Sequence, residues 1–165
     1  MSKKNTKKLP AKSSPVMAIC KVITLLLSLW FSGAMTALSG AGLIYNSDSY
    51  GAELKNTGIF LIISSVLMIS GAFLCLFRKK LPNILAILFA AGGLVLCLVM
   101  LHKLTDHADM SGWTDKYTML PVSDMYTRRI LPSIVPAALT AIIAVIQLCS
   151  LRRTHQSEEK APSIL

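Results

Sequence analysis

Four uncharged, mostly apolar runs decide what this chain is able to fold into. They are Val22 to Tyr45, Gly58 to Phe77, Ile84 to Leu101 and Ile130 to Leu148, with 24, 20, 18 and 19 residues. An α-helix rises about 1.5 Å per residue, so a hydrocarbon layer of roughly 30 Å calls for about 20 residues. Each run meets that length. A single run of this kind is compatible with the core of a soluble domain. Four of them in 165 residues leave too little polar surface to cover the outside. Charged residues make up 15% of the chain, where a soluble domain carries about 25%. Lipid offers backbone groups no partner, so the runs are expected as helices that satisfy their own N–H and C=O groups. The expected fold is all-α: an integral membrane four-helix bundle of antiparallel, up-down spans at about 22–45, 58–77, 84–101 and 130–148, inside a transmembrane domain covering 15–151.

Local signals place the ends. Ser14-Pro15 suits a helix start, because proline lacks an N–H that the first turn leaves unpaired anyway. Asn56 and Thr57 are candidate caps for the second run. Pro82 and Pro132 open the third and fourth. Asp106 and Asp109 oppose the dipole at a helix C-terminus, so the third helix is expected to end near Leu104. Pro136 is expected to kink the fourth. Segments 46–57 and 102–129 are read as outer connections, with Trp113 and Tyr117 near headgroup level. The Lys-rich tail 1–14 and the tail 152–165 have the composition of disordered segments.

Charge sets the orientation. Four spans put both termini on one side, together with the turn 78–83. That side holds twelve basic residues against two acidic, a net +10; the other holds five against six, a net −1. Basic residues collect on the cytoplasmic side. The topology anchors are therefore Arg78, Lys79, Lys80, Arg152 and Arg153, both termini are expected in the cytoplasm, and the site is a cell membrane, plasma or inner. Arg128 and Arg129 then face outward, against the rule. Asp124 lies four residues before Arg128, one turn away if the segment is helical, and the pair is read as an interfacial anchor. A basic head followed by Ser32-Gly33-Ala34 resembles a secretory leader. The apolar run continues past that point to Tyr45, which argues for a retained anchor.

Helices associate in lipid through close contact, and small residues four apart permit it. The candidate packing positions are Gly33, Ala37 and Ala41 in the first run, Ala86 and Ala90 in the third, and Ala137 and Ala141 in the fourth. The runs contain no Asp, Glu, Lys, Arg or His. Ion-coupled carriers usually keep at least one such group in the membrane, so coupled transport is disfavoured. Cys20, Cys75, Cys97 and Cys149 form no C-x-x-C pair, and none lies in an outer connection, so redox motifs and outer disulfides are not expected.

His102, Asp106 and Asp109 share one face if the third helix runs on. Imidazole and carboxylate suit a divalent metal, but the spacing matches no ligand signature, and a solvated loop is the plainer reading. No catalytic residue and no cofactor is expected. The basic head beside a membrane helix points to anionic lipid headgroups rather than nucleic acid. The function expected is that of a non-enzymatic accessory or scaffolding subunit acting through helix–helix association, with the lipid bilayer and another membrane protein as partners. The alternatives are an oligomeric pore or uncoupled channel, and a membrane enzyme using the outer His/Asp loop.

Overall fold

The computed structural model describes residues 15–114 and 119–159. The N-terminal tail 1–14, Tyr117 and residues 160–165 lie outside the described residues. All regular elements among the described residues are helical: α1 (Pro15–Ser28), a π-helical segment (Leu29–Ala37), α2 (Leu38–Tyr50), α3 (Ala52–Leu74), α4 (Lys80–Met110), α5 (Val122–Ile130), a 3₁₀ turn (Leu131–Ser133) and α6 (Ile134–Glu159). These make four helices long and apolar enough to cross a membrane, at Pro15–Asp48, Ala52–Leu74, Lys80–Met110 and Val122–Arg152.

The first, third and fourth helices overrun their apolar runs; the second starts early but ends at Leu74, short of Phe77, where the Leu76 and Phe77 N–H groups turn back to the Phe73 and Leu74 carbonyls. The first is helical from Pro15, the first described residue. It ends at Gly51, whose φ of 119° is open to glycine without a Cβ clash. The second helix starts immediately afterwards at Ala52, so Asn56 and Thr57 sit inside it and not at its cap; Thr57 Oγ1 donates back to the Glu53 carbonyl at 3.2 Å. The segment 46–57 thus reduces to a one-residue break.

The third helix does not stop at Leu104. It continues to Met110 because its end is capped. Gly112 has φ 63°, its N–H donates to the Asp109 carbonyl at 3.1 Å, and the Trp113 N–H donates to the Ala108 carbonyl at 3.0 Å. This is the Schellman pattern, with glycine in the left-handed position. The Trp113 ring packs against the buried core and stands edge-on to His107, with ring centroids 5.2 Å apart. That cap outweighs the weak dipole penalty of the two aspartates.

The fourth span is entered through α5, which carries Asp124 and Arg128 one turn apart and both arginines in its last turn. A 3₁₀ turn at Leu131–Ser133 then leads into α6. Pro136 cannot donate to the Pro132 carbonyl and its ring crowds that group; the tighter turn lies where that mismatch falls. At the far end α6 runs through Arg152 and Arg153 to Glu159, since no glycine or proline interrupts before Pro162.

Gly40 lies against Gly58, Ser32 against Ser65 and Lys21 against Leu76, so positions rise along the first span as they fall along the second. A Cβ on Gly58 would meet the Gly40 carbonyl oxygen at 2.5 Å, a distance only glycine tolerates. Two apolar clusters fill the interior, one around Leu61, Met68, Cys97, Leu104 and Ile130, the other around Cys75, Ala86, Ile143 and Ala144. The outside is more greasy than the inside. Leu26, Trp30, Leu38, Val66, Leu88, Val95 and Ile142 are all exposed, while Ser28, Ser32, Thr36, Ser64 and Thr140 are buried. A water-soluble protein does not sustain so broad an apolar exterior; a lipid-embedded one requires it.

Candidate functional site

The buried face of the first span is polar. Lys21, Thr24, Ser28, Ser32 and Thr36 all turn inward, followed by Gly40 and Leu43. From Ser28 to Gly40 the inward positions fall every fourth residue. A plain α-helix, with 3.6 residues per turn, would carry such a row steadily around its axis. The π segment has more residues per turn, because its bonds run to i+5, and so keeps the row facing one way. Thr36 Oγ1 reaches the Phe31 carbonyl at 3.1 Å, five residues back. Ser65 of the second span donates its hydroxyl to the Ser32 carbonyl inside the same segment. The buried row lies one residue before the Gly33/Ala37/Ala41 stripe. Gly33 and Ala37 are half-buried and Ala41 is exposed.

The row ends in a polar node at Lys21, which is 8% exposed. Its ammonium donates to Gln147 Oε1 at 2.9 Å and to the Leu76 carbonyl at 3.3 Å. The Gln147 amide in turn donates from Nε2 to the Cys75 carbonyl at 2.9 Å. An ammonium only donates and a carbonyl only accepts, so the glutamine has one consistent orientation. One side chain of the fourth span thereby ties the first span to the end of the second. The Cys75 thiol lies 3.8 Å from the Thr140 carbonyl. Asn83 closes the same end. It is fully buried, and its Nδ2 donates to the Phe77 and Lys79 carbonyls at 3.1 and 2.7 Å. Its Oδ1 has no partner among the described residues.

Lys21 escaped the sequence reading because the uncharged run begins one residue later, at Val22. The earlier signal was Pro15: a helix that starts there puts Lys21 in its second turn, in line with Thr24 and Ser28. Gln147 stands within the fourth run as a polar side chain beside Ser133 and Thr140, without any indication in the sequence of its partner.

The other sequence-derived positions are distributed as follows. Ala86, Ala90 and Ala137 are buried; Ala141 is half-buried. Ala86 and Ala90 face Gly71, where an added Cβ would lie 3.0 Å from the Ala86 carbonyl oxygen. Arg78, Lys79, Lys80 and Arg152 are exposed around one end of the helices. Arg153 continues the α6 backbone, and its side chain lies outside the described residues.

At the opposite end His102 Nε2 and Asp106 Oδ2 approach to 3.3 Å on an exposed face of α4, and Asp109 follows on the next turn. Among the described residues no three histidine, cysteine or carboxylate groups come together closely enough to hold a metal ion. A cleft of about 530 Å³ runs beside this face between α3 and α4, with Glu53, Lys103, Asp106 and His107 on its rim over Phe60, Met100 and Leu104.

Comparison with protein-family models, with curated proteins and with solved structures finds no match to this chain. The class its own geometry defines is a multi-helix, membrane-embedded protein with a polar interior row and an apolar flank.

Proposed function

We propose that this chain is a multi-pass membrane protein that works by association, as a non-enzymatic accessory or scaffolding subunit. Its four spans run up and down, antiparallel, in the plasma or inner membrane, with both termini and the turn at Arg78–Lys80 in the cytoplasm. The charge asymmetry and the opposed numbering of touching residues in the first two spans support that threading. The observation that carries the reading is how the interior disposes of its polar groups. Lys21, Gln147, Ser65 and Thr36 are engaged with neighbouring protein atoms, and the surface left over is an apolar belt suited to lipid and to other membrane helices. The first span is the least buried of the four, which makes it the flank with most surface to offer a partner.

Cross-linking in native membranes followed by purification tests this. A defined membrane protein recovered in fixed ratio to the chain is the expected result. Purified chain that moves solute across vesicles by itself would end the accessory reading. That outcome would favour the second reading, an oligomeric pore or uncoupled channel, for which the inward row Thr24, Ser28, Ser32 and Thr36 is the specific motive. Tags on the two ends, probed from outside intact cells, test the threading; reactivity of either tag would overturn it.

A further inference from the structure

The basic end of the helices carries a groove between α4 and α6, about 470 Å³ in volume, lined by Lys80, Ile84, Val145, Leu148, Cys149 and Arg152. Its two walls are ordered alike. On α4 the cation Lys80 comes first and Ile84 follows one turn deeper. On α6 the cation Arg152 lies at the same end, Cys149 and Leu148 one turn deeper, and Val145 a further turn in. Lys80 and Arg152 are exposed, and Ile84 and Val145 are about half exposed. Among the described residues no carboxylate lines the groove. Charge at the mouth and hydrocarbon along the length are the order of parts in a phospholipid. Lys80 is also the first residue of α4, so the positive end of the helix dipole adds to the two side chains.

We propose that this groove holds one anionic phospholipid, its phosphate between Lys80 and Arg152 and an acyl chain along Ile84, Leu148 and Val145. Basic pockets between spans on the cytoplasmic side recognise such headgroups. A free phosphate would use the cations and leave the apolar wall empty, and a zwitterionic lipid would bring its own cation against them. The inference rests on the membrane reading above, and needs neither a protein partner nor the accessory role.

The test uses the full-length chain, purified in a neutral detergent and offered phosphatidylglycerol or phosphatidylcholine, with retained lipid counted by native mass spectrometry. One phosphatidylglycerol per chain, held in preference to phosphatidylcholine, is expected. Lys80→Gln with Arg152→Gln should weaken retention about thirtyfold, the effect of two basic residues near a headgroup. The exchange Lys80→Arg with Arg152→Lys should restore it, which shows that the loss is of charge and not of fold. Val145→Trp leaves both cations and fills the apolar wall, and should also lower retention.

Equal retention of the two lipids, or undiminished phosphatidylglycerol on the double-glutamine variant, would overturn the proposal. So would full displacement by millimolar inorganic phosphate, which would mark an ion site. Unchanged retention by the tryptophan variant would reduce the groove to diffuse surface charge and overturn it equally. Lipid counts on the isolated chain do not depend on cross-linked partners or solute flux, so failure here and failure of the association reading are separate results.

Discussion

The seam between the second and third spans and the seam between the first and fourth are built on different physics. The second and third meet through missing side chains. Gly71 lies against the Ala86 carbonyl and Ala90, and Gly93 against the Ser64 carbonyl and Met68. The first and fourth meet through Lys21 and Gln147, a bond between two long polar side chains. Lipid tails are as apolar as leucine, so burying apolar surface between spans gains little; close approach and hydrogen bonds have to hold them. Close approach collects many small dispersion terms at once. A polar bond gains less than its strength in hydrocarbon implies, since separated helices also find partners for their polar groups. The steric seam is therefore expected to carry stability, and the polar one to fix which helix faces which.

The largest effect should come from filling the steric seam. A Cβ at Gly93 would lie 2.9 Å from both the Ser64 carbonyl oxygen and Met68 Cγ. Gly93→Leu forces the backbones apart and should cost about 3 kcal/mol, the upper range for overpacking. Unfolding of the purified chain in mixed detergent micelles reads it. A change near zero would mean that the second and third spans are not pressed together, and the contrast between the two seams would fail.

The polar seam should respond asymmetrically. Gln147→Leu leaves the Lys21 ammonium with the Leu76 carbonyl and without its amide acceptor, and frees the Cys75 carbonyl. Stranding buried polar groups in this way should cost about 2 kcal/mol. Adding Lys21→Met removes the stranded charge, so the double variant should be more stable than Gln147→Leu alone. The coupling in a double-mutant cycle measures the bond itself. Strict additivity would show that the two side chains do not meet in the folded membrane protein.

How much of this was readable beforehand follows the same division. Apolar length is a property of residue type, and it located four spans. The steric seam was half visible: Ala86 and Ala90 stood out as small residues at spacing four, whereas Gly71 was not marked among the small residues of its run. The polar seam was not visible, because a lysine at the edge of an apolar run reads as tail until the helix start at Pro15 is taken at its word. The inward row was hidden for another reason. Small residues four apart were the template, which Gly33, Ala37 and Ala41 meet; the buried row Ser28, Ser32, Thr36 and Gly40 has the same spacing one residue earlier, and its hydroxyls do not mark it as a packing face. The end of α4 lies past the two aspartates because Ser111-Gly112-Trp113 supplies a glycine cap followed by an anchoring ring, which outweighs a small dipole penalty.

Between the two seams lies an intermediate contact, the Ser65 hydroxyl on the Ser32 carbonyl. It is a neutral bond in the middle of the bundle, and it holds the one stretch of the first span that departs from α geometry. Ser65→Ala should cost about 0.6 kcal/mol, the mean for polar contacts between membrane helices. Amide exchange across Leu29–Ala37 sharpens the reading: faster exchange in the variant is expected if Ser65 supports the π segment. An unchanged pattern would assign the π geometry to the first span's own sequence.

The smallest effect belongs to a polar pair with nothing buried around it. His102 and Asp106 stand 3.3 Å apart with their side chains 77% and 52% exposed. Water competes for both groups and salt screens them, so an exposed i,i+4 pair contributes less than about 0.5 kcal/mol. His102→Ala should leave unfolding in mixed micelles within that margin. The comparison with Gln147→Leu isolates the variable that matters, since both substitutions remove one partner of a side-chain pair and only one of them does so out of reach of water. If His102→Ala destabilises the chain as strongly as Gln147→Leu, polarity itself and not its burial would be setting the cost, and the distinction between the two seams would lose its physical basis.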